Sequence, residues 1–189
     1  MNESAHDEIL RVLGDYLDKK LRFSQVIIGW PQYNQKLKHP ALSVVEKNSV
    51  FRPFPPQEIK RFKTSGPKAD ILWLVGEYEF SIQLDIWAKT KADRNDLYER
   101  MFVVLNDSAG EMPSSCFTLP MPKYHGIPAT YFFEGFSLPD EERSTLEGEW
   151  RVLVRVKGVC DATLRKDNEP IILDPSVEIE VTESKIAEE

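Results

Sequence analysis

Residues 76–105 read GEYEFSIQLDIWAKTKADRNDLYERMFVVL, and two hydrophobic periods follow one another within them. From Tyr78 to Ala88 the side chains alternate. Tyr78, Phe80, Ile82, Leu84, Ile86 and Ala88 fall on one face, and Glu79, Ser81, Gln83, Asp85 and Trp87 on the other. A period of two in a stretch rich in aromatic and β-branched residues predicts a half-buried β-strand. The pattern breaks at Thr90. Thr90 and Asp93 have capping-box spacing, in which each side chain satisfies an orphan N–H at a helix start. Leu97, Met101, Val104 and Leu105 then recur at helical spacing, predicting an amphipathic helix that ends near Asn106. A strand, a short polar turn and a helix folded back onto the apolar face make a seed for a core. Nothing in this seed marks a reaction.

The flanking sequence builds on that unit. Ser4 to Leu21 predicts a first helix, with Ser4 and Asp7 at capping-box spacing and Ile9, Val12, Leu13, Tyr16 and Leu17 on one face. Gly14 inside it costs roughly 1 kcal/mol relative to Ala. Gln25 to Trp30 and Ala41 to Glu46 predict two strands, and a hairpin with a long turn would join them. Lys47 to Asp70 differs in kind. It holds Pro53, Pro55, Pro56 and Pro67, and carries Lys47, Arg52, Lys60, Arg61, Lys63 and Lys68 against Glu58 alone before Asp70. Prolines forbid a central strand or a continuous helix, so an irregular connection is expected here. Two readings stand for it: a solvated loop, or a basic arm that orders against a partner.

Ile71 to Val75 leads into the Tyr78 strand, either as its beginning or as a separate strand bent at Gly76. Beyond the second helix, Ser108 to Gly126 reads as irregular, with a short strand at Cys116 to Leu119. Ala129 to Phe136 reads as a strand interrupted by a glycine, and Leu138 to Glu147 as a polar connection. Glu149 to Thr163 reads as a strand with Trp150, Val152, Val154 and Val156 facing one way. Segregated strands and helices favour an α+β fold. The expectation is a mostly antiparallel or mixed sheet with two main helices on one face and long inter-strand loops. Residues 1–165 would form one domain, with 47–70 as a basic proline-rich loop. Residues 166–189 would form an acidic tail or arm, disordered at its end or docked elsewhere.

Composition narrows the function. The 189 residues are 41% hydrophobic and 11% aromatic, enough for a core. No apolar run approaches the ~20 residues of a membrane span, so no membrane partner is expected. The acidic start, Met1 to Asp7, does not resemble a secretory signal. The two cysteines, Cys116 and Cys160, suit free thiols in a reducing compartment. A net charge of −7 argues against a general nucleic-acid binder.

Chemistry-bearing motifs are absent. His6, His39 and His125 lie apart from each other and from the cysteines, with no HxxxH, CxxC or HExxH spacing for a metal. Phosphate-cradling glycine motifs and a GxSxG elbow are also missing. A Cys116/His125 nucleophile pair reads less well than a buried thiol and a loop histidine. Glu141 and Glu142 look solvated, and Asp85 reads as an exposed or salt-bridged strand residue rather than a functional carboxylate. Trp87 either packs under a loop or sits in an interface, where Trp is enriched. The expectation is no enzyme, catalytic residue, cofactor or metal. The charge split, a basic segment and an acidic last third, would let identical subunits meet head to tail.

The order of elements, and above all LDIWAKTKADRNDLYERM at residues 84–101, resembles the tail terminator or tail completion proteins of long-tailed bacteriophages. The resemblance implies a virion protein of the tail and neck, assembled in the host cytoplasm. It would form a ring, typically of six copies, that caps the tail tube, ends its polymerisation and presents a docking surface to the head connector or neck. Its partners would then be itself, the tail tube protein, the connector and the sheath. The contact residues expected are Arg52, Lys60, Arg61, Lys63 and Lys68, with Trp87 as a further interface candidate. Another head–tail connector or baseplate adaptor is the alternative within the same class. More distant are a DNA-contacting neck protein, with Tyr131, Phe132 and Phe133 as a stacking strand, and an enzyme.

Overall fold

The computed structural model describes residues 4–32, 35–63, 68–106, 116–137 and 149–170. Its elements are α1 (Ala5–Leu21), β1 (Gln25–Ile28), β2 (Ala41–Lys63), β3 (Lys68–Ala88), α2 (Lys91–Asn106), β4 (Cys116–Pro120), β5 (Pro128–Ser137) and β6 (Trp150–Pro170). One mixed sheet of six strands runs in the order β1-β2-β3-β6-β5-β4. This is the α+β arrangement expected from the sequence, with β3 and β6 at its centre.

Both helices cover the same face. The alternation of β3 delivers Phe80, Ile82, Leu84, Ile86 and Ala88 to the core. There they meet Val152, Val154 and Val156 of β6, Ile9, Leu13 and Leu17 of α1, and Leu97, Met101 and Leu105 of α2. Ser4 caps α1 by accepting from the Asp7 N–H (3.2 Å), and Thr90 caps α2 by accepting from the Asp93 N–H (3.1 Å). Gly14 serves packing: a Cβ there would stand 3.3 Å from Val26 Cγ1, so its absence lets α1 lie close on β1. Glu8, fully buried, ties α1 to the turn at 121–127 by accepting from Arg11 Nε (2.8 Å) and from the Lys123 N–H (3.0 Å). Tyr131 of β5 donates from its hydroxyl to the Ile9 carbonyl (2.8 Å).

Three expectations are corrected. β1 and β2 are parallel, not a hairpin: Gln25 pairs with Ala41 and Ile28 with Val44. The connection brings the chain back to the start of β1, where Ser24 N–H donates to the Pro40 carbonyl and Lys38 N–H to Gln25 Oε1. The chain therefore enters β2 in the same direction, and parallel pairing of this kind needs a long connection.

Residues 47–63 and 68–70, expected as irregular loop, are strand. β2 pairs with β3 from Ala41↔Trp87 to Lys63↔Ala69. Beyond Val44, β2 is an edge strand, where proline's missing N–H costs nothing on the solvent side. Pro53 stands opposite Gly76 and Gln57 opposite Leu74, so Phe54, Pro55 and Pro56 are taken up in a bulge. The expected boundary after residue 165 falls inside a strand, because β6 continues to Pro170, opposite Lys68. The acidic stretch 171–189, the connection around Glu141 and Glu142, and residues 64–67 and 107–115 lie outside the described residues.

Candidate functional site

β2, β3 and β6 have 23, 21 and 21 residues, several times the usual strand length. Their excess forms a three-stranded arm. In it β3 from Lys68 to Gly76, a rise of about 25 Å, is flanked by β2 on one side and β6 on the other. The helix-covered core takes only Leu42 and Val44 from β2, and every residue from Phe51 to Phe62 is exposed. Gly76 sits at the arm's root. A Cβ there would stand 2.4 Å from the Phe51 ring and 2.5 Å from the Arg52 carbonyl oxygen, so this approach of the two strands requires glycine. On the other side, the Tyr124 hydroxyl accepts from the Thr163 N–H (3.0 Å) and fixes β6 to the 121–127 turn.

The arm gathers the five cations singled out from the sequence onto adjacent strands. Arg52 pairs with Glu79 (2.8 Å), which also takes Lys157 Nζ (2.9 Å). Those bonds, Lys157's first, hold the Glu79 carboxyl below the usual carboxylate range. Lys60 Nζ lies 4.9 Å above the Phe62 ring, and the Arg165 guanidinium 5.7 Å from it. Arg165 is itself bound to Asp70 (2.7 Å) and Asp167 (2.9 Å). Arg61 pairs with Glu58 (2.8 Å) and lowers that carboxyl's pKa. Lys63 stands opposite Ala69, and the exposed Lys68 opposite Pro170.

Sequence reasoning saw the charges and missed the apolar side chains between them. Phe51, Phe54, Ile59, Phe62 and Leu164 are 36–49% exposed on this arm. These exposed apolar side chains stand among the cations on both faces of the ribbon, Phe62 opposite Asp70 and Leu164 opposite Trp73, and they make the arm the candidate contact site. The signal was present in FRPFPPQEIKRF at residues 51–62, where the prolines concealed a strand.

Trp87 is not part of that surface. It is 6% exposed and packs with Leu37, Ala41 and Ile27 in a small second cluster, under the segment that precedes β2. Beside it Asp85, fully buried, accepts from Arg151 Nε (2.7 Å) and from Gln83 Nε2 (2.9 Å). The Arg151 guanidinium lies 5.3 Å from the Trp87 ring and 5.8 Å from that of Trp30. Burial pushes the Asp85 carboxyl up, against the pull of Arg151. An ion pair held this tightly between indoles joins β3 to β6. It presents no free group to a substrate.

The other chemical candidates separate. Cys116 opens β4 (Cys116–Pro120), whereas His125 lies beyond the other end of that strand, in the turn that leads to β5. Of the three aromatic residues weighed for base stacking, Tyr131 is buried, Phe133 packs against the core, and Phe132 alone is exposed. A shallow cleft of about 370 Å3 between the ends of α1 and α2 is lined by Lys20, Leu21, Asp96, Glu99, Arg100, Val103 and Val104. Among the described residues, no group of His, Cys, Asp and Glu is placed to hold a metal ion. Nor is any helix among them long and apolar enough to cross a membrane. No protein-family model matches the chain, and no curated protein matches it.

Proposed function

We propose that this protein is a structural virion assembly protein of the tail-completing kind, which caps a phage tail tube as a ring of copies, ends its growth and offers a docking surface to the head or neck. The observation that carries the reading is the arm. A rigid body with helices on one face extends a three-stranded ribbon whose exposed surface alternates Phe51, Phe54, Ile59 and Phe62 with Arg52, Lys60 and Arg61. The β2 strand of this ribbon, exposed from Phe51 to Phe62, suits a second protein surface, acidic and partly apolar. The ring and the tube come from the resemblance carried by residues 84–101.

The test is a variant with Lys60→Glu, Arg61→Glu and Lys63→Glu, mixed with the tail tubes it would cap. The three positions are on the edge strand β2, with Lys60 and Arg61 exposed, so the fold and thermal midpoint should stay close to wild type. Tube lengths, measured by electron microscopy, should lose the upper limit that the unmodified protein imposes. Capping by the triple variant at wild-type level would remove the arm from the mechanism. The unmodified chain is expected to form, alone or on tube ends, a ring of about six 21.8 kDa copies with a central hole. A chain that stays monomeric in the presence of tubes would refute the ring.

A further inference from the structure

Arg11 and Arg151 are partly buried, and each is matched by acids: Arg11 by Glu8 and Asp15, Arg151 by Asp85. Arg94 is buried further and is not matched. It is 3% exposed, the one fully buried cation among the described residues. Its Nε and Nη2 donate to Oδ1 of the adjacent Asn95 (3.2 and 3.1 Å), a neutral acceptor. Nη1 is buried with no hydrogen-bond partner. A guanidinium does not shed its proton to escape burial, and a buried cation without an anion is the costly case. Buried arginines are therefore paired as a rule.

The unmatched charge sits at the positive end of a helix. α2 starts at Lys91, and Thr90 accepts from the Asp93 N–H through its hydroxyl and from the Arg94 N–H through its carbonyl. The N–H groups of Lys91 and Ala92 have no acceptor within the helix. Aligned peptide dipoles place about half a positive charge at such an end. Lys91 and Arg94, three residues apart, share one side of the helix. Both stand against one ring: Lys91 Nζ is 5.7 Å and Arg94 Cζ 5.1 Å from the centre of Trp150. Lys91 is exposed and Trp150 half-buried, so the cluster has a side that faces solvent. The one acid of this first turn, Asp93, is exposed.

The donors belong to different groups: an unpartnered guanidinium nitrogen, an ammonium and two backbone N–H groups. A carboxylate offers two oxygens in one plane. A phosphate offers three or more, spread tetrahedrally, and carries close to two charges. Helix starts bind this kind of anion through the same N–H groups and dipole. We propose that the start of α2 binds a phosphate group, with Arg94, Lys91 and the N–H groups of Lys91 and Ala92 as its donors and the Trp150 ring as one wall. The site is separate from the basic arm and needs no ring of copies.

Inorganic phosphate titrated into the full chain at constant ionic strength, with chloride as the reference, tests this. The folded-to-unfolded ratio should rise about tenfold once phosphate reaches ten times its Kd. In proton–nitrogen spectra the amides of Lys91 and Ala92 should move while those of Gln57 to Lys63 stay still. Movement confined to 57–63 would put phosphate on the arm and overturn the site. Arg94→Met removes the buried charge and keeps an unbranched apolar stem. In chloride its Tm should match or exceed that of wild type, because an uncompensated buried charge is gone, and its response to phosphate should vanish. An equal response in this variant would mark a general salt effect, and a markedly lower Tm in chloride would assign Arg94 to the fold; either result overturns the proposal. Lys91→Ala changes an exposed side chain, so it should fold normally and weaken phosphate roughly tenfold, the worth of a hydrogen bond to a charged group. Unchanged affinity there would also overturn the site. Acetate should have no effect, and acetate acting as strongly as phosphate would overturn the choice of a tetrahedral anion. Glycerol 3-phosphate separates the sources. Binding as tight as that of the free ion assigns a phosphoryl group carried on a larger molecule, and rejection assigns the ion itself.

Discussion

Replacing Gly76 with alanine tests whether the arm is built as described. The new Cβ would stand 2.4 Å from Phe51 Cε2, 2.8 Å from Cζ and 2.5 Å from the Arg52 carbonyl oxygen. Carbon contacts are comfortable at about 3.5–4.0 Å, so the two strands must separate by roughly 1 Å. The Phe51 ring, 46% exposed, can swing outward at the expense of its contact with Tyr78, whose ring centre lies 5.2 Å away. The Arg52 carbonyl cannot move without disturbing the β2–β3 ladder at Pro53↔Gly76 and Arg52↔Glu77. Overpacking of this kind costs about 1–3 kcal/mol. For a chain of 189 residues that corresponds to a fall in Tm of about 2–12 °C. The loss should be local. Hydrogen exchange at amides of 57–63 and 69–76 should quicken by about 5- to 150-fold, while Ile82, Leu84 and Val154 in the core keep their protection. An unchanged Tm together with unchanged exchange in the arm would refute the close approach of the strands at Gly76.

Two further predictions concern buried titratable groups. The Asp85 carboxyl is pushed up by burial. It therefore favours the folded state when protonated, and that contribution is lost as pH rises from its ordinary value of 3.8 through the raised one. Asp85→Asn removes the titration, so urea denaturation at stepped pH should find wild type losing stability relative to the variant across that interval. A constant difference at every pH would contradict the assignment. Cys160, buried and beside the charges of Asp161 and Glu77, is pushed up to about 12 by burial first and those carboxylates second. At pH 8 it should stay a thiol and resist a maleimide in the folded protein, becoming reactive when urea unfolds the chain. Mass spectrometry that localised label on Cys160 in the native state at the rate of an unstructured thiol would exclude its burial.

The sequence by itself determined the local elements. Alternation from Tyr78 to Ala88 and from Trp150 to Val156, helical spacing from Leu97 to Leu105, and the caps at Ser4 and Thr90 all became the expected strands and helices. Each of these signals comes from side chains a few residues apart, whose relation to one buried face is fixed by backbone geometry. The α+β class followed from the order of elements, and the charges of the candidate site were legible as composition. The tertiary structure decided the rest. Whether Pro53, Pro55 and Pro56 end a strand or sit in one depends on which edge of the sheet they occupy, and that is set by β3, not by their neighbours. The parallel pairing of β1 with β2 depends on where the connection returns. The burial of Asp85 against Arg151, 66 residues away, depends on β3 lying beside β6. Contacts across the sheet are chosen by the packing of the whole core, and no periodicity within a single segment records them.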